Sequence, residues 1–263
     1  MDLQLAEKIA LVSGSTAGIG NAIAASLARE GATVIVNGRT PAAVDGAVAA
    51  MKSATGGNVI GFAGDLSVAS VAEKLVGAHP QVDILVNNLG IFEVRAFEDI
   101  SDADWLRFFE VNVLSGARLS RLYLPSMRQR NWGRIIFISS ESGVQIPAEM
   151  IHYGMTKSAQ IAVARGLAEA TAGTGITVNS VLPGPTRSRG VGDFVADWAA
   201  KSGKSAETVE KEFFKNARPT SLIKRFATPE EVAAMVTFVA SPLSAATNGA
   251  ALRVDGGVVK SAF

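Results

Sequence analysis

Short apolar runs alternate with longer helical stretches along this chain of 263 residues. Runs that are apolar almost throughout are typical of parallel strands, which lie between two layers of helices. The alternation predicts an α/β fold, in which a doubly wound parallel sheet of about seven strands has helices on both faces and right-handed crossovers. The predicted strands are 9–12, 33–36, 59–62, 84–87, 134–139, 177–181 and 251–254.

One segment, residues 186–226, breaks this alternation because it contains helical patches but no strand. The chain shows no internal repeat, no low-complexity tract and no break in composition. We therefore expect a single domain over residues 1–263. Ligands of doubly wound sheets bind beyond the carboxyl ends of the strands, so candidate site residues are expected there.

Composition and charge exclude several classes of partner. The 25 basic and 24 acidic residues leave a net charge of +1, which gives no general attraction to nucleic acid or to an anionic membrane. No run approaches the roughly 18 apolar residues of a membrane span, and the first residues lack a secretory signal pattern. The absence of cysteine excludes disulfides and thiolate chemistry, and two histidines give little basis for a metal site. We expect a soluble, cytoplasmic protein that acts on small molecules without a metal.

A glycine-rich turn, residues 13–20, follows the first predicted strand and leads into an alanine-rich stretch typical of a helix. Gly14, Gly18 and Gly20 give the spacing G-x-x-x-G-x-G, which differs from the G-x-G-x-x-G of the common dinucleotide fingerprint. In such a unit, free backbone N–H groups and the positive end of the helix dipole can bind a pyrophosphate. An ordinary tight turn of an α/β domain is the alternative for this segment taken alone.

A second group of candidate residues follows the fifth predicted strand. Tyr153 and Lys157 are four residues apart, so on a helix both side chains lie on the same face. A nearby ammonium favours the phenolate and is expected to bring the tyrosine into the range of proton transfer at neutral pH. Ser140, on the loop after the strand, could hydrogen-bond the same substrate oxygen. An exposed tyrosine with a solvated lysine is the common interpretation of this spacing taken alone.

With these motifs the chain resembles the short-chain dehydrogenase/reductase family in its classical branch. The resemblance covers essentially the whole length and rests on seven motifs in the right order and spacing. They lie at residues 9–20, 83–90, 112, 138–143, 153–157, 179–185 and 255–257. The resemblance implies a Rossmann-like fold, a nicotinamide cofactor and reversible hydride transfer between that cofactor and a ketone or secondary alcohol.

The resemblance also implies roles for individual residues. Tyr153 is expected to be the general acid in reduction, Lys157 to lower its pKa and bind the nicotinamide ribose, and Ser140 to polarise the carbonyl. Asn112 is expected to kink its helix and to support a proton relay through an ordered water. The expected cofactor-binding residues are Gly14, Ser15, Thr16, Gly18, Ile19, Gly20, Asn37, Arg39, Asp65, Leu66, Asn88, Gly90, Tyr153, Lys157, Gly184, Thr186 and Ser188.

The end of the second predicted strand bears on the choice between NADP(H) and NAD(H). An acidic side chain there would accept hydrogen bonds from a ribose diol, whereas an arginine can bind a 2′-phosphate through two parallel hydrogen bonds. The chain has Gly38 at the acidic position and Arg39 after it, so we expect NADP(H) in preference to NAD(H), with help from Asn37 and Ser15. Ala17 stands where many NADP-preferring relatives have a second basic residue. A surface arginine in a loop is the alternative.

Three other sites of the resemblance leave alternatives open. Asp65 matches a residue that contacts adenine in the family, and taken alone it is also typical of a turn or a helix cap. Leu89 departs from the family's usual alanine and adds volume beside the cofactor or the sheet core. After the sixth predicted strand, Thr186 and Ser188 are the candidates to fix the nicotinamide amide.

The substrate is expected to lie beneath segment 186–226, which covers the substrate in the family. Glu149 and His152 could contact a polar substrate, but a helix-start carboxylate and a solvated histidine are the other interpretations. The apolar lining suits an aromatic or aliphatic ketone, a 3-oxoacyl group and a sterol-like ring equally well. The candidate lining residues are Ile91, Phe92, Ser142, Val144, Gln145, Ile146, Glu149 and His152, with Val191, Phe194, Val195, Trp198, Phe213 and Phe214 facing either the pocket or the core.

The predicted function is an NADPH-dependent carbonyl reductase or alcohol dehydrogenase, with 3-oxoacyl reduction as one form of it. The alternatives are an epimerase or dehydratase of the same fold and a catalytically silent dinucleotide sensor or scaffold. A homotetramer is also expected, because stretches 101–124 and 152–171 carry more apolar surface than one sheet face needs. The tail residues Val258, Val259 and Phe263 are expected to be exposed in one chain and to form a second interface.

Overall fold

The computed structural model describes residues 1–262, without the side chains of residues 189, 190, 193–195 and 197. The predicted lining residues Phe194 and Val195 and the tail residue Phe263 therefore lie outside the described residues. Within the described part, seven parallel strands form one sheet in the order β3-β2-β1-β4-β5-β6-β7. The strands are β1 (Ile9–Val12), β2 (Thr33–Gly38), β3 (Val59–Ala63), β4 (Ile84–Asn87), β5 (Gly133–Ile138), β6 (Ile176–Pro183) and β7 (Ala251–Val254).

Helices cover both faces of the sheet, as predicted for the doubly wound fold. The strand order reverses between β1 and β4, and a crevice for ligands opens at this point beyond the carboxyl ends of the strands. The helices are α1 (Gly18–Arg29), α2 (Pro41–Thr55), α3 (Ala69–Ala78), α4 (Asp102–Phe109), α5 (Ser115–Arg130), α6 (Ile151–Ala170), α7 (Arg189–Ser202), α8 (Ala206–Asn216) and α9 (Pro229–Ala240).

Alternate residues of the central strands point into two separate cores. Val12 and Val86 pack in the core beneath α1, α2 and α9, whereas Leu11 and Leu85 pack in the core beneath α3, α5 and α6. This alternation follows from the two-residue repeat of a strand. Because both faces of the central strands are buried, these strands are mostly apolar, and the sequence prediction places every strand end within two residues of its observed position.

A widened helical turn interrupts the helical stretch between β4 and β5. A capping box of Ser101 and Asp104 starts α4, and a π-helical turn, Glu110–Leu114, joins α4 to α5. Asn112 lies at the centre of this turn and is fully buried. The irregularity expected at Asn112 is therefore a π-turn, a feature that occurs frequently at functional sites.

Segment 186–226 contains α7 and α8 and has a small core of its own. Val209, Phe214 and Phe226 are buried together there, apart from the two cores of the sheet. A parallel bridge between Thr186 and Ala227 joins the two ends of the segment. The segment is thus a helical excursion between β6 and α9 that packs largely on itself.

Two findings concern the surface of the described residues. No helix in the described part is both long and apolar enough to cross a membrane. Val258 and Val259 are buried, with 1% and 8% of their surface exposed, so the expectation that they are exposed is wrong. The cause is local: Asp255 accepts a hydrogen bond from the backbone of Val259, which folds the tail back onto the chain.

Candidate active site

The glycine-rich turn brings backbone groups to the carboxyl end of β1. Gly14 adopts a φ of +62°, and a Cβ atom at Gly20 would lie only 2.4 Å from the side-chain nitrogen of Asn88. Ala17 precedes α1 without a side-chain hydrogen bond, and no acidic residue lies in the first turn. The first N–H groups of α1 therefore face no carboxylate or cap, which suits an anion such as a pyrophosphate.

Asn88 holds the glycine-rich turn in place from the end of β4. Its Nδ2 donates to the carbonyl oxygens of Ser13 and Gly14, at 3.0 Å each. The Ser13 hydroxyl in turn accepts from the backbone N–H groups of Asn88 and Leu89. The chain folds in this way because Gly20 leaves room for the amide.

A small cavity of about 140 Å³ lies beside this turn and between the ends of β2 and β3. Arg39 is exposed at its edge, and no ion pair of Arg39 occurs among the described side chains. A Cβ atom at Gly38 would lie 2.4 Å from the methyl group of Thr16, so no larger side chain fits there as the chain is packed. The lining residues are Gly14, Thr16, Ala17, Asn37, Gly38, Arg39, Gly64, Asp65, Leu66 and Leu89.

The side chains of Asn37 and Ser15, which were expected to help Arg39, are hydrogen-bonded to the backbone in this structure. Asn37 is buried, donates to the carbonyls of Phe62 and Gly64, and accepts from the backbone of Gly14. Ser15 is buried as well and is hydrogen-bonded to the backbone at Val12 and Asn37. Both side chains are committed to joining β1, β2 and β3, which makes them supports of the cavity wall.

Asp65 and Leu89, for which the sequence left alternatives open, both line this cavity. Asp65 accepts hydrogen bonds from the backbone and the hydroxyl of Ser67, at 2.9 and 2.7 Å, so its side chain stabilises a turn while lining the cavity. Leu89 lines the same cavity and also packs against the core beneath α3, α5 and α6. Its extra volume is therefore shared between the cavity and the core.

A larger cleft of about 520 Å³ lies on the other side of the loop after β4. Ser140, Tyr153 and Lys157 all line it, together with Asn88 and Gly90. Thr186 donates to the carbonyl of Gly184 at 2.9 Å. The other lining residues of the cleft are Ile19, Ile91, Phe92, Val94, Ile138, Ser139, Glu141, Ser142, Glu149, Met150, Pro183, Gly184, Pro185, Thr186, Ser188, Val191, Trp198, Phe213, Ala217, Arg218 and Phe226.

Hydroxyl groups attach the loop after β5 to α6 and so set Ser140 relative to Tyr153. Ser139 donates to the carbonyl of Lys157 at 2.8 Å, and Ser158 donates to the carbonyl of Gly143 at 2.7 Å. Tyr153 and Lys157 lie one turn apart on α6, as their spacing predicts. The three predicted residues thus come together on rigid elements.

The Ser140 hydroxyl is engaged by a neighbouring carboxylate. It donates to Oε2 of Glu141 at 2.5 Å and accepts from the backbone N–H of Ser142. The same carboxylate oxygen accepts from Ser142, and the other oxygen accepts from Arg218 at 3.2 Å. Glu141 is only 5% exposed, so a partly buried ion pair lies beside the candidate catalytic serine.

The expectation that Lys157 lowers the pKa of Tyr153 does not hold in this structure. Burial raises the pKa of the phenol above its ordinary value, Glu141 raises it further, and the neighbouring Ser140 acts in the opposite direction. The Lys157 nitrogen lies 5.5 Å from the centre of the phenol ring. Tyr153 is therefore protonated at neutral pH, the state that a proton donor needs.

Lys157 is buried and has two acceptors within the chain. Its Nζ donates to the carbonyl of Ile138 at 2.9 Å and to the side-chain oxygen of Gln160 at 3.1 Å. Burial lowers the pKa of Lys157 to about 7, while the charge of Glu141 acts to raise it. The ammonium is thus close to losing its proton in the neutral range.

Asn112 links the π-turn to both sides of the cleft. Its Oδ1 accepts from the backbone of Ile91 at 2.7 Å, and its Nδ2 donates to the Ile91 carbonyl and to the Thr156 hydroxyl. Its own carbonyl accepts from the side chain of Gln160 at 2.6 Å. Between Lys157 and Asn112 the structure therefore has a direct amide bridge.

Two carboxylates surround the only guanidinium in the described lining of the cleft. Arg218, just after α8, contacts Glu141 and, at 3.3 Å, Glu149. Glu149 thus lines the cleft as an ion-pair partner of Arg218. The sequence suggested a substrate contact or a helix-start carboxylate for Glu149, and neither interpretation included this pairing. Because two negative groups face one positive group, the local charge around Arg218 is negative.

His152 neither lines the cleft nor contacts solvent, so both interpretations of this residue are wrong. It is fully buried, with its ring 4.0 Å from that of Phe108 and 6.1 Å from that of Trp105, measured between ring centres. Neither ring nitrogen has a hydrogen-bond partner in the described structure. The helical period explains the difference, since His152 and Tyr153 point to different sides of α6.

The other predicted lining residues divide into two groups. Ile91, Phe92, Ser142, Val191, Trp198 and Phe213 line the cleft. Val144 and Ile146 are half exposed, Gln145 is exposed, and Phe214 is buried in the core of segment 186–226. The prediction is wrong for Val144, Gln145 and Ile146 as cleft residues, whereas Phe214 faces the core, one of its two predicted places.

Sequence reasoning missed Glu141, Arg218 and Gln160. Gln160 lies three residues after Lys157, so the helical spacing could have identified it. Glu141 and Arg218 are 77 residues apart, and no local pattern pairs them. In the part of the chain described, no cluster of three or more potential metal ligands occurs.

Comparison with known proteins agrees with this geometry. The family described as Enoyl-(Acyl carrier protein) reductase matches residues 14–259. A Bacillus subtilis protein called uncharacterized oxidoreductase YvrD is 50% identical, over 99% of this chain and 100% of that protein. D-beta-hydroxybutyrate dehydrogenase of Cupriavidus necator is 36% identical, over 96% of this chain and 98% of that enzyme.

A solved structure has the same fold over nearly the whole length. It is L-sorbose reductase from Gluconobacter frateurii, complexed with NADPH and L-sorbose, with a TM-score of 0.93 and 30% identity. The match covers 99% of this chain and 100% of that chain.

Proposed function

The chain belongs to the short-chain dehydrogenase/reductase family of oxidoreductases that act on CH–OH and C=O groups, and from this premise we propose that it is an NADPH-dependent reductase of uncharged ketones. One observation carries the proposal. Ser140, Tyr153 and Lys157 line a single cleft that adjoins the glycine-rich turn. This placement suits proton transfer to an oxygen at the cleft wall.

Tyr153 is proposed to donate the proton. Its raised pKa keeps the phenol protonated at neutral pH, so the group is ready to protonate the oxygen of a reduced carbonyl. Ser140 is proposed to turn its hydroxyl from Glu141 to the same oxygen. Glu141 keeps its contacts with Ser142 and Arg218 when this happens, so its charge is not left unpaired. A bound nicotinamide cofactor would supply the hydride.

The residues beside the smaller cavity fit the adenosine half of NADP(H). The glycine-rich turn and the uncapped start of α1 suit the pyrophosphate, and Lys157 is proposed to bind the nicotinamide ribose. The exposed guanidinium of Arg39 at the cavity edge supports a contact with the 2′-phosphate. Gly38 leaves no room for the carboxylate that would bind a ribose diol. Gly184, Thr186 and Ser188 are proposed to hold the nicotinamide amide.

The charge around Arg218 supports an uncharged substrate. Arg218 is already paired with Glu141 and Glu149, so a substrate carboxylate at this end of the cleft would meet net negative charge. Hydroxyl groups of a substrate could donate to these carboxylates, and the structural neighbour named L-sorbose reductase, complexed with NADPH and L-sorbose, supports a hydroxyketone as one such substrate. The apolar remainder, which includes Phe92 and Trp198, suits a short carbon chain or ring.

Segment 186–226 is proposed to be a lid, because Trp198, Phe213 and Arg218 extend from it into the cleft. We also propose a cytoplasmic homotetramer, with one domain over residues 1–263. An apolar groove of about 430 Å³ runs between α5 and α6 and includes Leu124, Val163 and Leu167. A self-complementary contact across such a groove would generate a two-fold axis.

The test of the proposed function is a set of initial rates with matched substrates. Ethyl acetoacetate and acetoacetate carry the same ketone and differ in charge, and an α,β-unsaturated thioester tests the enoyl reduction named by the matching family. With NADPH, we expect oxidation of the cofactor by the ester, a much lower kcat/KM for the acid, and no reduction of the unsaturated bond. Faster turnover of the acid would contradict the charge argument, and turnover of the thioester alone would favour enoyl reduction.

Tyr153→Phe tests the proton donor directly. The variant keeps the ring but lacks the transferable proton, so kcat with the ester is expected to fall about 100-fold or more. NADPH affinity, measured by fluorescence, is expected to stay near the wild-type value. A variant that keeps more than about a tenth of the wild-type kcat would exclude Tyr153 as the proton donor.

A further inference from the structure

A buried glutamine connects the candidate catalytic lysine to the π-turn. Gln160 lies on α6, one helical turn after Lys157, and only 1% of its surface is exposed. Its Oε1 accepts from the Lys157 ammonium at 3.1 Å, and its Nε2 donates to the Asn112 carbonyl at 2.6 Å. Both ends of the amide are thus satisfied inside the protein.

The orientation of this amide is fixed by its partners. The Asn112 carbonyl can only accept, so it requires the NH₂ end of Gln160. The oxygen end must then face Lys157, whose ammonium can only donate. Asn112 is itself held through its side chain by Ile91 and Thr156. The amide therefore has a single orientation, with its oxygen toward Lys157 and its NH₂ group toward the π-turn.

We propose that Gln160 is a positioning residue that keeps the Lys157 ammonium charged and aimed at the cleft by bridging it to the backbone of Asn112. The proposal deepens the proposed function and rests on it for the role of Lys157. Lys157 has three N–H bonds, and two of them are taken by Ile138 and Gln160. The third remains for a ligand in the cleft that Lys157 lines.

The surroundings of Lys157 explain why the bridge matters. From the loop after β5, Glu141 presents its negative charge to Lys157, and from α6 Tyr153 presents a neutral phenol. From the π-turn, the neutral Asn112 is bridged to Lys157 by Gln160, whereas Glu110 is exposed at the surface. Without Gln160, the buried ammonium would keep one acceptor in the chain, the Ile138 carbonyl, and its charged form would be disfavoured. An amide does not readily take up and release protons, so the bridge holds the charge and is not itself a proton path.

Gln160→Met tests the bridge, because methionine has a similar volume but neither a donor nor a strong acceptor for these groups. Gln129→Met is the matched control, since Gln129 lies exposed on α5. The readout is the pKa of Lys157 in the cofactor-free protein, measured by NMR with ¹⁵Nζ-labelled lysine and assigned with Lys157→Met. Gln160→Met is expected to lower this pKa by about one unit, the effect of one hydrogen bond to a charged group. Gln129→Met is expected to leave it unchanged.

Gln160→Glu gives a prediction of opposite sign. A carboxylate at this place would favour the ammonium, so the pKa of Lys157 is expected to rise. In wild-type protein, which needs no variant to fold, the Gln160 side-chain NH₂ resonance is expected to exchange slowly and to shift as Lys157 titrates. The proposal is overturned if the pKa of Lys157 is unchanged in folded Gln160→Met. It is also overturned if the Gln160 NH₂ resonance of wild-type protein exchanges fast and does not shift as Lys157 titrates.

Activity measurements separate this proposal from the proposed function. The fall of kcat/KM with ethyl acetoacetate at high pH is expected to move to lower pH in Gln160→Met by the same amount as the Lys157 pKa. If wild-type protein reduces no carbonyl compound, the proposed function fails while the NMR titration still tests the bridge. If wild-type protein reduces the ketone and Gln160→Met leaves the pKa of Lys157 unchanged, the proposal for Gln160 is wrong while the proposed function stands.

Discussion

At the scale of single residues, the protein itself supplies partners for the charged groups of the larger cleft. Lys157 is held by Ile138 and Gln160, and Arg218 is held by Glu141. A substrate therefore replaces hydrogen bonds that already exist, and its binding energy is a difference between two sets of contacts. Arg39 differs, because no ion pair of Arg39 occurs within the described residues.

Arg39→Asp is expected to shift cofactor preference toward NADH, because a carboxylate repels the 2′-phosphate and accepts from a ribose diol. Loss of a charge-assisted contact corresponds to a change of roughly ten- to a hundredfold in the ratio of kcat/KM for NADPH to that for NADH. The control is Arg29→Asp, the same change at an exposed residue of α1. An unchanged ratio in Arg39→Asp would mean that Arg39 does not bind the phosphate.

His152 is expected to destabilise the protein in acid. Burial lowers its pKa below the ordinary 6.5, with Glu93 and Asp104 acting to raise it and Arg95 and Arg107 acting to lower it. Below about pH 6.5 the unfolded chain therefore binds a proton that the folded chain does not, and the free energy of unfolding falls as the pH falls. The slope reaches at most about 1.4 kcal/mol per pH unit.

His152→Leu is expected to remove that part of the pH dependence, since leucine is apolar and of similar size. The measurement is denaturant unfolding at pH 7, 6 and 5. His79, the only other histidine, is partly exposed, so His79→Leu is the matched control and is expected to retain the wild-type slope. If the free energy of unfolding changes equally with pH in wild type, His152→Leu and His79→Leu, His152 does not cause the acid sensitivity.

At the scale of elements, strands and site differ in how far the sequence determines them. The central strands could be predicted because both faces are buried, so that three of the four residues of Ile84–Asn87, for example, are apolar. The position of Tyr153 and Lys157 on one face of α6 could be predicted from their spacing of four residues, about one helical turn. The pairing of Glu141 with Arg218 could not be predicted, because it depends on how α8 returns to the loop after β5. The burial of His152 depends in the same way on α4 packing against α6.

The proposed lid is expected to be disrupted without loss of the main fold. Phe214 is 2% exposed in the small core with Val209 and Phe226, which is separate from the two cores of the sheet. Phe214→Ala is therefore expected to speed proteolysis within residues 186–226 and raise KM, while the main thermal transition changes little. Phe137→Ala, in a main core, is the control and is expected to lower the free energy of unfolding by about 3–5 kcal/mol. A comparable loss of the free energy of unfolding in Phe214→Ala and Phe137→Ala would mean that the lid and the rest of the domain unfold as one unit.

At the scale of the whole molecule, the outer surface of α5 and α6 differs from a helix face that meets only water. The groove between the two helices joins apolar side chains to Arg121 and Arg128, and small residues such as Ala117 and Gly166 leave it open. A second copy would bring the apolar surfaces together. The tail now gives less support for a second interface, because Val258 and Val259 are already buried in the chain.

Gly166→Arg tests the proposed assembly. A Cβ atom at Gly166 has no neighbour within 4 Å, so the substitution fits the single chain but fills the groove. Gly46→Arg on α2 has equally free space and serves as the control. Light scattering is expected to give about four times 27.3 kDa for wild type and Gly46→Arg, and a smaller mass for Gly166→Arg. A wild-type mass near 27.3 kDa would exclude assembly, and an unchanged mass in Gly166→Arg would exclude this groove.

The packing of Thr16 against Gly38 limits the order in which cofactor preference can change during evolution. An acidic residue in place of Gly38 would meet the Thr16 methyl group at 2.4 Å, so that step is costly while Thr16 is present. A smaller residue at position 16 removes the obstacle and leaves Arg39 in place. On the route through position 38, the permissive mutation at position 16 therefore has to precede the acidic one, and a lineage can carry it for a long time without any change in the cofactor it uses.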